Sequence, residues 1–228
     1  MFFLQGSVIF VLAYLAGSIP FGYLVVKIIN GRDVRKVESG RTGGTNAFRA
    51  AGLLAGLITA LLDVAKGVAS GWLVAWLAPG NIWYQVIAAI LVVVGHNYSI
   101  FLTERDPIRG RFKLRGGAGG APALGGSIAL WPQSGLVILP LAIFVFLFIG
   151  YASVTTISIT TVSTLYFAFR ALAGFSPWAY MVYGIIATII VIWALRSNLD
   201  RLRQGRERVV GLRAYFMRKA SEKLSRQG

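Results

Sequence analysis

Cysteine is absent from the 228-residue chain, and histidine occurs once, at His96. The first absence excludes disulfides and thiolate metal sites, and the second excludes a histidine-cluster metal site within one chain. No metal and no cofactor is therefore expected. Charge is scarce too, at 14% of residues, and acids are scarcest: eight Asp+Glu against 23 Lys+Arg, a formal net charge of +15. With 56% hydrophobic residues and a mean hydropathy of +0.68, an ordinary soluble domain is excluded. Several apolar runs reach the ~20 residues that cross the hydrocarbon core. The basic excess lies between these runs and in the C-terminal tail. That placement suits an anionic leaflet and the positive-inside rule, and no nucleic-acid partner is expected. A cleaved leader is not expected either. The first charged residue is Lys27, so a positive n-region is missing, and the opening run is too long for an h-region.

What is present reads as an all-α integral membrane protein with about seven transmembrane helices. The first span covers about Phe3 to Ile29, with a kink near Gly17-Ser18-Ile19-Pro20. A polar loop, 30–52, follows. Spans from Leu53 to Ala78 and from Trp83 to Leu102 are joined by a turn at Pro79-Gly80-Asn81. A second basic loop, 103–116, leads into a small-residue helix that breaks at Pro132-Gln133-Ser134. The apolar stretch from Leu136 to Arg170 is long enough for two spans, with a turn near Gly150-Tyr151. The last span runs from Trp178 to Leu195. The two loops and the tail each hold more Lys and Arg than acids, and the other connections hold almost no charge apart from Arg170. Seven spans put the N-terminus outside and all three basic segments, with the C-terminus, in the cytoplasm. Trp72, Trp76, Trp83 and Tyr84 fall where an outer aromatic belt would form. No internal repeat is evident. The chain divides into a membrane domain, 1–199, and a basic tail, 200–228, able to form a surface helix on anionic lipid. The bacterial inner membrane is the expected location.

Five constellations can carry chemistry. The first is Ser39-Gly40-Arg41-Thr42-Gly43-Gly44-Thr45-Asn46-Ala47-Phe48-Arg49. Its glycines let backbone N–H groups converge on an anion, Thr45 or Asn46 can cap the helix that follows, and Arg49 can fork onto a phosphate. A flexible loop with a helix cap reads equally well. Asp63 and Lys66, three residues apart inside a span, either neutralise each other or offer Lys66 to a substrate. His96, in Gly95-His96-Asn97-Tyr98, has no acid near it in sequence and favours a structural role. Arg115-Gly116-Gly117-Ala118-Gly119-Gly120 has the composition of a second anion nest, or of close helix packing. The last constellation is Arg196-Ser197-Asn198-Leu199-Asp200-Arg201-Leu202, where orientation accounts for the charges and leaves Asn198 unexplained.

In order, these segments resemble the bacterial membrane acyl-phosphate-dependent glycerol-3-phosphate acyltransferases, the PlsY type. Gly17-Ser18-Ile19-Pro20-Phe21-Gly22 resembles the family's opening span. Ser39-Gly40, Gly43, Thr45-Asn46 and Arg49 fall on its S-G-x-x-G-x-T-N-x-x-R. Asp63-Val64-Ala65-Lys66-Gly67 falls on D-x-x-K-G, and Gly95-His96 with Phe101 on G-H-x-x-P-x-F. Gly116-Gly117 and Gly119 fall on G-G-K-G, and Asn198-Leu199-Asp200-Arg201-Leu202 on the last motif. The resemblance implies acyl transfer from an acyl phosphate to the 1-hydroxyl of sn-glycerol 3-phosphate, giving lysophosphatidic acid. It implies catalytic roles for Ser39, Arg49 and Asn198. Gly40, Gly43, Thr45, Asn46, Lys66, His96, Arg115, Gly116, Gly117 and Gly119 would bind substrate phosphate. The chain departs from the pattern at Ala118, where the family carries lysine, at Leu195, where it carries histidine, and at Ser99 and Arg41-Thr42. It also has an Arg-rich insertion before Gly116. Two readings follow: an acyltransferase whose missing charge comes from Arg41, Arg109, Arg111, Lys113 or Arg115, or a lipid-binding or scaffolding subunit that keeps only the fold.

Overall fold

The computed structural model describes residues 2–105 and 110–225, so Arg109 lies outside the described residues. The opening run is helical but interrupted: α1 spans Phe2–Ser18 and α2 spans Phe21–Asn30. The break falls at Ile19-Pro20, where proline removes a backbone donor. Next, α3 covers Gly44–Leu77, and non-helical angles at Ala51 and Gly52 divide a short cytoplasmic piece from a long apolar one. The expected turn forms at Gly80, which adopts a φ of 80°, and Asn81 caps α4 (Ile82–Asn97) by accepting from Tyr84 N at 3.1 Å. Then come α5 (Gly120–Leu130) and α6 (Ser134–Phe144), the latter ending in a π-turn, Val145–Ile149. Gly150, with a φ of 76°, separates this turn from α7 (Ala152–Leu172). The final helices are α8 (Trp178–Arg203) and α9 (Gly211–Leu224).

Two expectations need correction. The described residues are not all helical, because Ser99–Arg105 and Phe112–Arg115 form strands β1 and β2 of an antiparallel hairpin. The predicted third span therefore ends at Asn97, five residues early, and the described residues of the predicted loop 103–116 are mostly strand. The cause is visible at the hairpin base. Gly117 N donates to His96 O at 2.9 Å, turning the returning strand under the end of α4. Cross-strand pairing of Glu104 with Arg115 holds the ribbon.

Among the described residues, four segments are long and apolar enough to cross a membrane: Leu4–Asn30, Gly44–Leu77, Ala152–Leu172 and Trp178–Arg203. Shorter apolar helices are Ile82–Asn97, Gly120–Leu130 and Ser134–Ile149. Their outward faces are apolar, with Trp72, Trp76, Leu61 and Leu53 all more than 60% exposed. Such a surface suits lipid rather than water. Inside, small residues let the backbones meet. A Cβ on Gly67 would lie 2.4 Å from Pro122 O, and one on Gly125 only 2.1 Å from Val64 O, where α3 crosses α5. Gly17 and Gly95 do the same for α1 and α4. The core between α4, α5, α7 and α8 is built on Val86, Phe167, Tyr180 and Tyr183. These contacts bring the end of α4, the start of α5, the first loop and the end of α8 to one side of the bundle.

Candidate active site

The first loop is folded by its own side chains. Asp33 accepts from Arg35 N at 2.9 Å and opens a short 3-10 turn, Val34–Lys36. Its ion pair with Arg35, 2.7 Å, holds its carboxyl below the usual range. Arg35 also reaches Glu104 of β1 at 3.1 Å, and Arg115 Nε reaches the other oxygen of Glu104 at 2.6 Å. The loop is thereby tied to the hairpin. Asn46 is buried, and its amide donates to Val34 O, Val37 O and Arg41 O at 2.8–3.0 Å. It thus gathers the chain from 34 to 41 into one curl. Gly40 turns that curl with a φ of 66°, and Ser39 Oγ accepts from Arg41 N at 3.4 Å. The expected cap at Thr45 or Asn46 does not form. Gly43 occupies the cap position of α3 and no side chain caps it, because Asn46 is drawn back to the loop. Arg49 lies on the first piece of α3. It donates to no protein acceptor among the described residues, and its electrostatic neighbours are Glu38, Arg208, Glu207 and Arg201.

Below the loop sits a buried cluster. Lys66 Nζ is 2.8 Å from Asp63 Oδ1, so the mutual pairing expected from their spacing is present. It also donates to Ile19 O at the α1–α2 break, 3.1 Å, and meets His96 Nδ1 at 2.9 Å. The same Nδ1 lies 3.4 Å from Asp63 Oδ1, so it faces both members of the pair, and the ring's other nitrogen is Nε2. That nitrogen faces Gly117, where a Cβ would come within 1.9 Å of it; a Cβ on Gly116 would lie 2.1 Å from His96 O. Glycine is required at both positions by close packing against His96. Gly119, with a φ of 92°, packs beside Asn97.

The third component is the end of α8. Asn198 is 9% exposed, and its amide donates to Glu207 Oε1 at 3.4 Å; Ser153 of α7 donates to Oε2 at 2.6 Å. Arg208 pairs with Glu38 in the first loop. Arg41 crosses the site: its guanidinium donates to Gly117 O, 3.0 Å, and to Ala194 O. Those acceptors immediately precede Ala118 and Leu195. Among the cations expected to supply charge there, Arg111 and Lys113 are exposed on the hairpin and Arg115 is engaged by Glu104. Arg41 alone of the described four reaches both segments.

Ser39, Gly40, Gly43, Thr45, Asn46 and Arg49 thus share one loop and helix start, Gly116, Gly117 and Gly119 adjoin it through His96 and Thr42, and Asn198 meets it through α8. Thr42 N donates to Gly116 O at 3.3 Å. Lys66 and His96 lie buried beneath them. Sequence reasoning missed Ser153, Glu207 and Arg208, and assigned Arg201 to orientation alone. An acid inside a basic tail was the signal available for Glu207; Ser153 carried none.

A loop curled by its own asparagine, a glycine turn laid on a buried histidine and a set of arginines at the end of an apolar bundle define a membrane-embedded, anion-handling protein. The chain belongs to the glycerol-3-phosphate acyltransferase family, whose model matches residues 7–205. It is 33% identical over 208 residues to the glycerol-3-phosphate acyltransferase of Syntrophomonas wolfei, covering 90% of this chain and 96% of that one. It is 38% identical over 203 residues to that of Rubrobacter xylanophilus, covering 89% and 94%. The solved structure of PlsY, an integral membrane glycerol 3-phosphate acyltransferase, in its glycerol 3-phosphate form superposes with a TM-score of 0.76 at 31% identity, over 90% of this chain and 96% of that chain. The lysophosphatidic acid form gives the same TM-score at 29% identity.

Proposed function

We propose that this chain transfers an acyl group from an acyl phosphate to the 1-hydroxyl of sn-glycerol 3-phosphate, giving lysophosphatidic acid and inorganic phosphate. The hydroxyl oxygen bonds to the acyl carbon, the bond from that carbon to the phosphate oxygen breaks, and the departing phosphate takes the hydroxyl proton. The observation that carries this reading is Arg41 lying across the junction of the first loop, the Gly116–Gly120 segment and α8, bonded to Gly117 O and Ala194 O, with Arg201 a charged neighbour of both Arg41 and Arg49. Two phosphate groups require such cations, and an acyl phosphate is already activated. Positioning and charge stabilisation then supply most of the rate. The single histidine is held by Lys66 and Gly117, so proton transfer to the substrate phosphate suits the site better than a histidine base. Ser39 and Asn198 flank the cations and orient the reactants, and Thr45, Gly40 and Gly43 shape the phosphate cradle. The scaffold alternative is not supported, since the relatives and the solved structures that the chain resembles are glycerol-3-phosphate acyltransferases.

The test is an assay of purified protein with palmitoyl phosphate and glycerol 3-phosphate. Lysophosphatidate and phosphate should appear in equal amounts. No product at high protein concentration, with an active family member run alongside, overturns the reading.

In the membrane, the four long and three shorter apolar helices act as seven spans. The N-terminus faces outward and the basic segments face the cytoplasm of a bacterial inner membrane. The tail lies on that anionic surface. Val210 N donates to Gly150 O at 2.8 Å, and Arg213 reaches Ile149 O at 3.0 Å, which pins α9 to the π-turn. Leu212, Tyr215, Phe216 and Met217 remain exposed beside Arg213, Arg218, Lys219 and Lys223, a composition suited to a lipid interface. In nanodiscs, amide exchange across 211–224 should be several-fold slower with phosphatidylglycerol than with phosphatidylcholine, and high salt should shrink the difference. Equal exchange in both lipids would remove the tail's lipid role.

A further inference from the structure

Three arginines around the site have a carboxylate. Arg35 has Asp33 and Glu104, Arg115 has Glu104, and Arg208 has Glu38. Arg41 is different. Its two acceptors are backbone carbonyls on separate segments, Gly117 O and Ala194 O, and it has no acidic partner among the described residues. A guanidinium carries five N–H donors in a planar fork, so these carbonyls leave donors unused. Its charged neighbours are Arg201 and Arg196, both cations. Burial, and then these two arginines, lower its pKa from the ordinary guanidinium value. A partly buried cation held between like charges is unfavourable unless an anion completes it. The two carbonyls fix the plane of the fork, so the anion it completes best is one that accepts in two directions, a phosphate group.

We propose that Arg41 is a direct ligand for a reactant phosphate, at the junction of the first loop, the Gly116–Gly120 segment and α8. Which phosphate it holds rests on the acyltransferase reading; that it holds one does not. The bland rival is that Arg41 only staples Gly117 to Ala194.

Inorganic phosphate is the probe. Added to the purified protein, it should raise the melting temperature in a saturable way, while glycerol should not. R41Q should need about 30-fold more phosphate or above for the same shift, the loss expected when one member of a buried charged contact is removed. A lower melting temperature for R41Q with unchanged phosphate affinity would leave only the staple and overturn the proposal. So would the absence of any phosphate effect on the wild type. Kinetics then assign the source: a raised KM for glycerol 3-phosphate identifies the acceptor's phosphate, and a raised KM for palmitoyl phosphate identifies the donor's. Wild-type protein that binds phosphate through Arg41 yet transfers no acyl group would sink the acyltransferase reading and leave this one standing. Should R41Q fail to fold, phenylglyoxal labelling of the wild type decides. Phosphate should slow modification of Arg41 about tenfold, and an unchanged rate overturns the assignment.

Discussion

Arg49→Ala is expected to lower kcat/KM by about 10²–10³-fold or more, the range seen when one preorganised charge-stabilising donor is removed. The melting temperature of the unliganded protein should hardly move. Both halves follow from the same observation. Arg49 makes no hydrogen bond or ion pair with a described protein group, so its truncation breaks nothing that holds the fold. It stands on a rigid helical piece whose base is fixed by Asn46, and it shares Arg201 as a neighbour with Arg41. An arginine so placed is available to substrate phosphate. The split between constants reports its role. A raised KM with unchanged kcat means it binds reactant and transition state alike, whereas a fallen kcat means its contact strengthens as charge moves to the leaving phosphate. Arg49→Lys should recover part of the loss, since charge is kept and the fork is not. An unchanged rate in Arg49→Ala takes this residue out of the site.

The membrane bundle was legible because its signals are local. Apolar runs of sufficient length, Pro20, Gly80 and Gly150 each act within a few residues, and the breaks fall where these residues stand. The hairpin was hidden for the same kind of reason. Tyr98-Ser99-Ile100-Phe101-Leu102 extends the apolar run of α4, and a short apolar strand and the end of a helix cannot be separated by periodicity. Its returning arm, with Arg111, Lys113 and Arg115, reads as a loop until Arg115 is seen on Glu104. The site shows the same division. The i,i+3 spacing announced Asp63 and Lys66, but not His96, thirty residues on. Asn46 was singled out as a phosphate donor from its motif, and only tertiary structure places its amide on three loop carbonyls. Glu207 with Ser153, 54 residues apart, has no sequence counterpart at all. Arg41 was one of five cations that sequence could not rank; two hydrogen bonds to distant backbones separate it from the others.

Lys66→Met is expected to destabilise the protein by about 3–5 kcal/mol, the loss typical when one partner of a buried ion pair is removed. Asp63 and Lys66 are 1% and 5% exposed, and methionine keeps the length of the lysine while leaving the Asp63 carboxylate without its nearest cation. Asp63→Asn should also destabilise, by stranding Lys66 against Ile19 O and His96. The double variant is the informative one. Removing both charges abolishes the uncompensated charge as well as the attraction, so Asp63→Asn with Lys66→Met should lose clearly less than the two single losses added together. Unfolding titrations in mixed micelles would measure the cycle, and strict additivity would mean that Asp63 and Lys66 are not energetically coupled. Activity should follow a different course. Lys66 holds His96 through Nδ1, and the His96 carbonyl and ring set the position of Gly117, whose own carbonyl holds Arg41. The double variant, though folded, lacks the cation that fixes the ring, so its kcat/KM should remain well below wild type. Stability restored together with full activity would show that the buried cluster only holds the helices and does not position the phosphate site.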